Sequence, residues 1–278
     1  MKKNLIASAL LSIFALSGCT TINFTAQQFV PRDEYKITLF NSNATEYQVD
    51  NLEFVQSDGA ISRGVYIHKP GAELTVLYFM GSGVRIDANG SYFSKPLTQL
   101  NANIISFDYR GFGRSDSFGK AHSLKELQTD TLALYDHVRK MVAGKLVVHG
   151  HSFGSFVAAR LASFRPLDGL VLEGTCTSAD AYASNMVPWF AKPFVHINLD
   201  SEISAIDNRT ALQNVDAPIF IINSDGDTQT PEASAYELFV SLKKPNKRYE
   251  KSIGTGHMNA MSKPTTIKAY REFLNGQY

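Results

Sequence analysis

Lys145-Leu146-Val147-Val148-His149-Gly150-His151-Ser152-Phe153-Gly154 decides the reading of this chain. Lys145 to His149 form a short, mostly apolar run of the kind that builds a strand covered on both faces. The next segment, Ser155 to Phe164, is rich in small residues and has helical length. A five-residue Gly-x-Ser-x-Gly pattern arises readily by chance, so its position between buried strand and helix carries the meaning. The two glycines leave room for a sharp turn that lifts the Ser152 hydroxyl above the sheet, where a base and a substrate both reach it.

A serine hydroxyl is a weak nucleophile at neutral pH and needs a general base with a group that orients it. Among seven histidines, His257 is the best placed, in the flexible loop Gly254-Thr255-Gly256-His257 between a Lys247 to Ser252 strand and the last helix. His149 and His151 lie too near the turn in sequence for their rings to fold back onto Ser152. His68, His122, His137 and His196 fall in strand, helix or insertion segments, where a structural role is the simpler reading. For the acid, Asp225 and Asp227 share the loop Asn223 to Pro231 after a buried strand. Asp227, four residues before the helix-starting Pro231, is preferred; Asp225 is the alternative, or else shapes the turn.

Outward from the turn, the chain alternates strand and helix. Tyr47 to Gln56 and Ile61 to His68 alternate apolar and polar residues around Ser57-Asp58-Gly59, which predicts an antiparallel hairpin. Leu74 to Phe79, Ile104 to Phe107, Leu146 to Val148, Leu170 to Leu172 and Ile219 to Ile222 are continuous apolar runs, the pattern of parallel strands. Leu124, Leu127, Leu132, Leu134, Tyr135 and Val138, and later Ala235, Leu238, Phe239 and Leu242, recur at helical spacing. The expected fold class is therefore α/β, a mostly parallel doubly wound sheet with an amino-terminal antiparallel hairpin over residues 47–278. One stretch breaks the alternation. Ser178 to about Asn214 is too long for a tight connection and is expected to form a short lid or a structural excursion.

Together with Asp108-Tyr109-Arg110-Gly111-Phe112-Gly113-Arg114-Ser115, these segments give the chain a resemblance to the α/β-hydrolases, in the small bacterial branch of serine-aminopeptidase-like and esterase or thioesterase members. The likeness runs from about Asn51 to the carboxyl terminus. The order Ser152, Asp227, His257 is the nucleophile, acid, base order of that fold. Asp108, Arg110 and Arg114 are structural in the family. Acyl transfer also needs backbone donors for the oxyanion, each supplying about 3 to 4 kcal/mol in the transition state. One is the Phe153 amide; the resemblance implies the Ser82 amide, in the Met80-Gly81-Ser82-Gly83 turn, as the other. Relatives usually carry His-Gly where this chain has Met80-Gly81, so the polar support of that turn is absent.

The amino terminus reads as an address. Lys2 and Lys3 precede an uncharged run from Leu5 to Leu16, then Ser17, Gly18 and Cys19. Twelve residues at 1.5 Å rise reach about 18 Å, short of the roughly 30 Å of a hydrocarbon layer. Basic start, apolar run and small residues make an export signal over residues 1–18. Leu16-Ser17-Gly18-Cys19 resembles the lipobox of bacterial lipoproteins, which implies an acylated Cys19 holding the domain on membrane lipid. Thr20, which is not Asp, resembles the outer-membrane sorting signal of Gram-negative hosts, facing the periplasm. Residues 19–46 are expected to be a tether and lead-in.

Composition narrows the chemistry. The 278 residues are 44% apolar and 19% charged, enough for a real core and unlike a disordered chain. Lys and Arg total 27 against 26 Asp and Glu, so no global field recruits nucleic acid. Two cysteines make neither a disulfide framework nor most of a structural zinc site. Cys176 lacks an adjacent base and reads as a buried thiol. Lys243, Lys244, Lys247 and Arg248 read as a solvated basic turn, with attraction to lipid phosphates as the sharper alternative. Asn43 and Asn208 match glycosylation sequons by chance.

The expectation is a membrane-tethered serine hydrolase, working through an acyl-enzyme on an ester or thioester, with no metal or cofactor. The alternatives are a peptidase or amidase on the same triad and a binding lipoprotein that keeps the fold. Tyr182, Trp189, Phe190 and Phe194 in the insertion suit an acyl chain or ordinary packing.

Overall fold

The computed structural model describes residues 20–24, 47–117 and 123–278. The signal segment, Cys19, residues 25–46 with Asn43, and His122 lie outside the described residues.

Strands β1 (Thr20–Phe24), β2 (Gln48–Val55), β3 (Ile61–His68), β4 (Leu74–Phe79), β5 (Asn103–Phe107), β6 (Lys145–His151), β7 (Gly169–Glu173), β8 (Val195–Leu199), β9 (Ile219–Ser224) and β10 (Lys247–Ser252) organise the chain. Helices α1 (Ile86–Asn89), α2 (Ser91–Thr98), α3 (Leu124–Met141), α4 (Phe153–Ala162), α5 (Ala179–Met186), α6 (Ser201–Ser204), α7 (Asn208–Leu212) and α8 (Glu232–Ser241) fall between them, and α9 (Pro264–Leu274) follows β10.

Among the described residues, the main sheet has eight strands in the order β10-β9-β7-β6-β4-β5-β3-β2. β2 and β3 form the expected hairpin, from Gln48 opposite His68 to Val55 opposite Ile61. β3 also runs antiparallel to β5, and every pair from β5 to β10 is parallel. Because side chains alternate across a strand, Val76 and Val147 enter one core layer while Leu77 and Val148 enter the other. Both layers are covered, which is why β4, β5 and β6 read as unbroken apolar runs.

The chain winds from β4 to β5, then returns to place β6 on the other side of β4. In open sheets the crevice outside the carboxyl ends of strands at such a reversal is where ligands bind. Here those ends carry the Met80–Gly83 turn and Ser152.

The Asp108–Ser115 segment ties the end of β5 to its surroundings. Asp108 accepts from the amides of Ile86 at 3.1 Å and Arg114 at 3.0 Å, and burial pushes its carboxyl up to about 6. Arg110 bridges Asp130 and Asp58, and Arg114 holds Asp87. The basic cluster has a similar role: Lys247 Nζ donates to the Phe239 and Leu242 carbonyls at the end of α8, and Lys244 Nζ to that of Val215.

The 178–214 insertion holds α5, β8, α6 and α7. Its one surprise corrects the tether reading. Residues 20–24 form β1, which pairs in parallel with β8 from Thr20 opposite Val195 to Phe24 opposite Leu199. Thr20-Thr21-Ile22-Asn23-Phe24 is too short to show a period, but its β-branched and aromatic residues suit a strand once a partner edge is available. Asn208 is buried, donating to the Cys176 carbonyl at 3.0 Å, so it is packing rather than a sugar acceptor.

Candidate active site

The turn after β6 is forced by close approach. A Cβ on Gly150 would sit 2.1 Å from the Gly154 carbonyl oxygen, and one on Gly154 would sit 2.0 Å from that of Phe79. Only hydrogen fits at both positions. Ser152 between them has φ 54, the left-handed region that residues with side chains rarely enter. Its amide donates to the Glu173 carbonyl at 2.8 Å and its carbonyl accepts from the Ser155 amide and hydroxyl, so the surroundings hold the strained residue in place. Helix α4 starts at Phe153, which puts the positive end of its dipole beside Ser152.

His257 Nε2 lies 2.8 Å from Ser152 Oγ, and His257 Nδ1 lies 2.8 Å from Asp227 Oδ2. Three loops, after β6, β9 and β10, thus bring the serine, acid and histidine into one hydrogen-bonded chain. Asp227 Oδ1 accepts from the amides of Gln229 and Thr230, and Oδ2 accepts from the Thr230 hydroxyl at 2.6 Å. Burial pushes this carboxyl up, but the bond and charge of His257 and the bonds from Thr230 outweigh it, so it lies below the usual carboxylate range. An ionised carboxylate only accepts, so Nδ1 carries the ring proton and Nε2 turns its lone pair to the serine hydroxyl. The arrangement is that of a serine hydrolase.

Comparison with known proteins bears on the fold that holds these residues. Residues 88–205 match the serine aminopeptidase S33 family. Lysophosphatidylserine lipase ABHD12 of Danio rerio is 27% identical over 227 residues, covering 73% of this chain. The chain spans 58% of that relative's length. The uncharacterized protein YfhR of Salmonella typhi is 25% identical over 73% of each chain. Among solved structures, the Pyrococcus furiosus esterase Pf2001 superposes with a TM-score of 0.68 at 20% identity, over 88% of this chain and 97% of its own. Est1E of Butyrivibrio proteoclasticus with bound ferulic acid gives 0.64 at 16% identity, over 81% and 98%. The chain has the α/β-hydrolase fold.

In this fold the Met80–Gly83 turn abuts Ser152: a Cβ on Gly81 would lie 3.3 Å from that of Ser152. That position suits the oxyanion role of the Ser82 and Phe153 amides. The polar support that Met80 fails to give comes from elsewhere. Tyr109 donates its hydroxyl to the Met80 carbonyl at 2.8 Å, and the Arg85 guanidinium, 3.7 Å from the Phe112 ring centroid, donates to the carbonyls of Ser82 and Val84.

Asp225 is exposed, and its Oδ1 accepts from the Gly254 amide at 2.9 Å. It binds the acid loop to the base loop and does not touch the imidazole. His151 does not turn onto Ser152, yet it has a place that sequence reasoning missed. Its Nε2–H donates to the His257 carbonyl at 2.9 Å, its ring centroid is 5.1 Å from that of His257, and its Nδ1 faces Gly81. Burial holds His151 below the usual imidazole pKa. Thr230 was missed too. Its only sequence signal is a hydroxyl three residues after the acid, where a loop curls back on itself.

His149 pairs with buried Glu173 at 3.1 Å, His137 packs on Phe54, His68 meets Asp50, and His196 is exposed on β8. Cys176 is fully buried, and burial pushes its thiol up to about 12. An apolar cavity of about 270 Å³ lies against Phe153, between α3, α4 and the α6–α7 segment, with Leu127, Phe156, Val157 and Ile206 in its walls.

Proposed function

We propose that this protein hydrolyses carboxylic esters through an acyl-enzyme, held at a membrane by acylated Cys19. The hydrogen-bonded chain Ser152–His257–Asp227 carries the reading. In it, Ser152 Oγ bonds to the ester carbonyl carbon while its proton passes to His257 Nε2. Asp227 keeps the imidazole in the required tautomer and stabilises the imidazolium. Amides of Phe153 and Ser82 receive the oxyanion. The alcohol leaves with the proton from Nε2; water, deprotonated by the same nitrogen, then attacks the acyl carbon and frees Ser152 and the acid.

An ester is favoured over an amide by relatives named as a lysophosphatidylserine lipase and an esterase. The matching serine aminopeptidase family favours the second reading, a peptidase on the same triad. A fluorophosphonate probe should label the wild type and not Ser152→Ala; folded wild type that resists labelling would leave a binding protein. p-Nitrophenyl esters of rising chain length, run beside aminoacyl anilides, then separate the two enzymes. Anchoring is read by mass spectrometry of Cys19 and by release of a Cys19→Ser chain from membranes. Among the described residues no helix is long and apolar enough to cross a membrane.

A further inference from the structure

The apex of the 178–214 insertion presents apolar side chains to solvent. Met186 is 54% exposed, Trp189 82%, Phe190 57% and Phe194 56%. The loop is compact, with the Pro188 carbonyl accepting from Ala191 and Lys192 and the Ala191 carbonyl from Phe194, so these side chains are displayed by a formed turn. Between Met186 and Asn198 there is no acidic residue, and Lys192 is the one formal charge. A solvent-exposed Trp–Phe pair with 6.0 Å between ring centroids, next to a lysine and free of acids, has the composition of a membrane-interface segment.

The strand pairing says what covers it. β1 runs parallel to β8 with Thr20 opposite Val195, the residue that follows Phe194. Thr20, the residue bonded to Cys19, and the aromatic apex therefore sit at the same end of the same two-stranded ribbon. A tether with no fixed partner would let the domain take any orientation; this ribbon removes that freedom.

We propose that the aromatic apex of the lid, Trp189, Phe190 and Phe194, docks into the bilayer in which the Cys19 acyl chains are embedded. The occupant is a lipid surface. The inference rests on the anchoring part of the proposed function and adds an orientation to it. The chain leaves the sheet at Gly174, whose Cβ position would be 3.4 Å from His257 Cε1, and reaches the docked segment through α5, so one connection borders the catalytic site and carries the apex. Esters drawn from that membrane would meet the lid first.

Trp189 is the single tryptophan of the chain, so its emission reports this loop alone. The purified mature protein is reconstituted into phosphatidylethanolamine–phosphatidylglycerol vesicles with and without bromines near the headgroup end of the acyl chains. Mass spectrometry of the same sample reads Cys19. The expected result is an emission shifted to the blue of the urea-unfolded chain and quenched severalfold by the bromines. A Phe190→Ser, Phe194→Ser variant whose circular-dichroism melt overlays the wild type should lose most of that quenching. Lipidated protein that floats with the vesicles while Trp189 stays unquenched would overturn the docking and leave the anchor standing. Unmodified Cys19 would overturn the anchor, and the quenching would still decide the docking. A blue-shifted, unquenched Trp189 with a dimer in sedimentation would assign the patch to a second copy and refute the lipid surface.

Discussion

The catalytic loops and the lid apex belong to the same domain and are held in opposite ways. Ser152 is fixed by bonds to Glu173 and Ser155, and the acid and base loops are joined by Gly226 to Thr255, Asp225 to Gly254 and Ser224 to Gly256. The lid apex is held by short-range backbone bonds, from Ala191 and Lys192 to Pro188 and from Phe194 to Ala191, and shows its largest side chains to solvent. Chemistry that needs reacting groups held within a fraction of an ångström belongs in the first region, and adaptable contact belongs in the second.

The sharpest way to break this contrast is at the two aspartates of one loop. Asp227→Asn should lower kcat/KM on a p-nitrophenyl ester about 10⁴-fold, some 5 kcal/mol, because Nδ1 loses the acceptor that fixes its tautomer. Asp225→Asn keeps an oxygen for the Gly254 amide and should stay within about tenfold of wild type. Equal losses would mean that the loop, rather than the acid, is what matters. Next in size is Gly154→Ala. Its Cβ would meet the backbone oxygens of Phe79 and Met80 at 2.0 and 2.8 Å, and neither can retreat without moving β4. A cost of about 3 kcal/mol, or roughly 6–12 °C in Tm, is expected. Gly83→Ala, with nothing within 4 Å of its Cβ position, should leave Tm unchanged.

The same contrast explains what could be read from the sequence. Buried strands write themselves as apolar runs, and a glycine forced by a 2 Å approach is a letter that nothing else replaces, so β4 to β7, β9 and the Ser152 turn were legible. The loop positions of Asp227 and His257 followed from that frame. Contacts across loops were not. Nothing in the sequence says that His151 donates to the carbonyl of residue 257, that Tyr109 and Arg85 support the turn that Met80 leaves without a polar side chain, or that β1 crosses to β8. Each depends on a partner distant in sequence, and one hydrogen bond leaves no period.

His151 tests such a contact at intermediate scale. In His151→Phe the His257 carbonyl loses its donor, a cost of about 1–2 kcal/mol, with kcat down about tenfold and KM little changed. The pH dependence has a definite sign. Burial lowers the folded-state pKa of His151, so the stability it contributes is present above the ordinary imidazole value near 6.5 and is lost as pH falls through the lowered value. Wild-type Tm should therefore drop on acidification below about 6.5, and His151→Phe should remove part of that slope. An unchanged slope would mean that other groups set it.

A small effect is expected at the lid. Phe190 is 57% exposed, so replacing it by Ser removes little buried apolar surface, and Tm should move by no more than about 0.5 kcal/mol, or 1–2 °C. The same side chain in the core behaves otherwise. Phe220 is fully buried between the rings of Tyr270 and Phe273, and Phe220→Ala should cost about 3–5 kcal/mol. A large loss at Phe190 would show that the apex is part of the packed structure, which would remove the reason to look for an outside surface against it. A negligible loss leaves a large aromatic side chain that the fold does not need, held by a turn that keeps it exposed, which is the condition that contact with an outside surface requires.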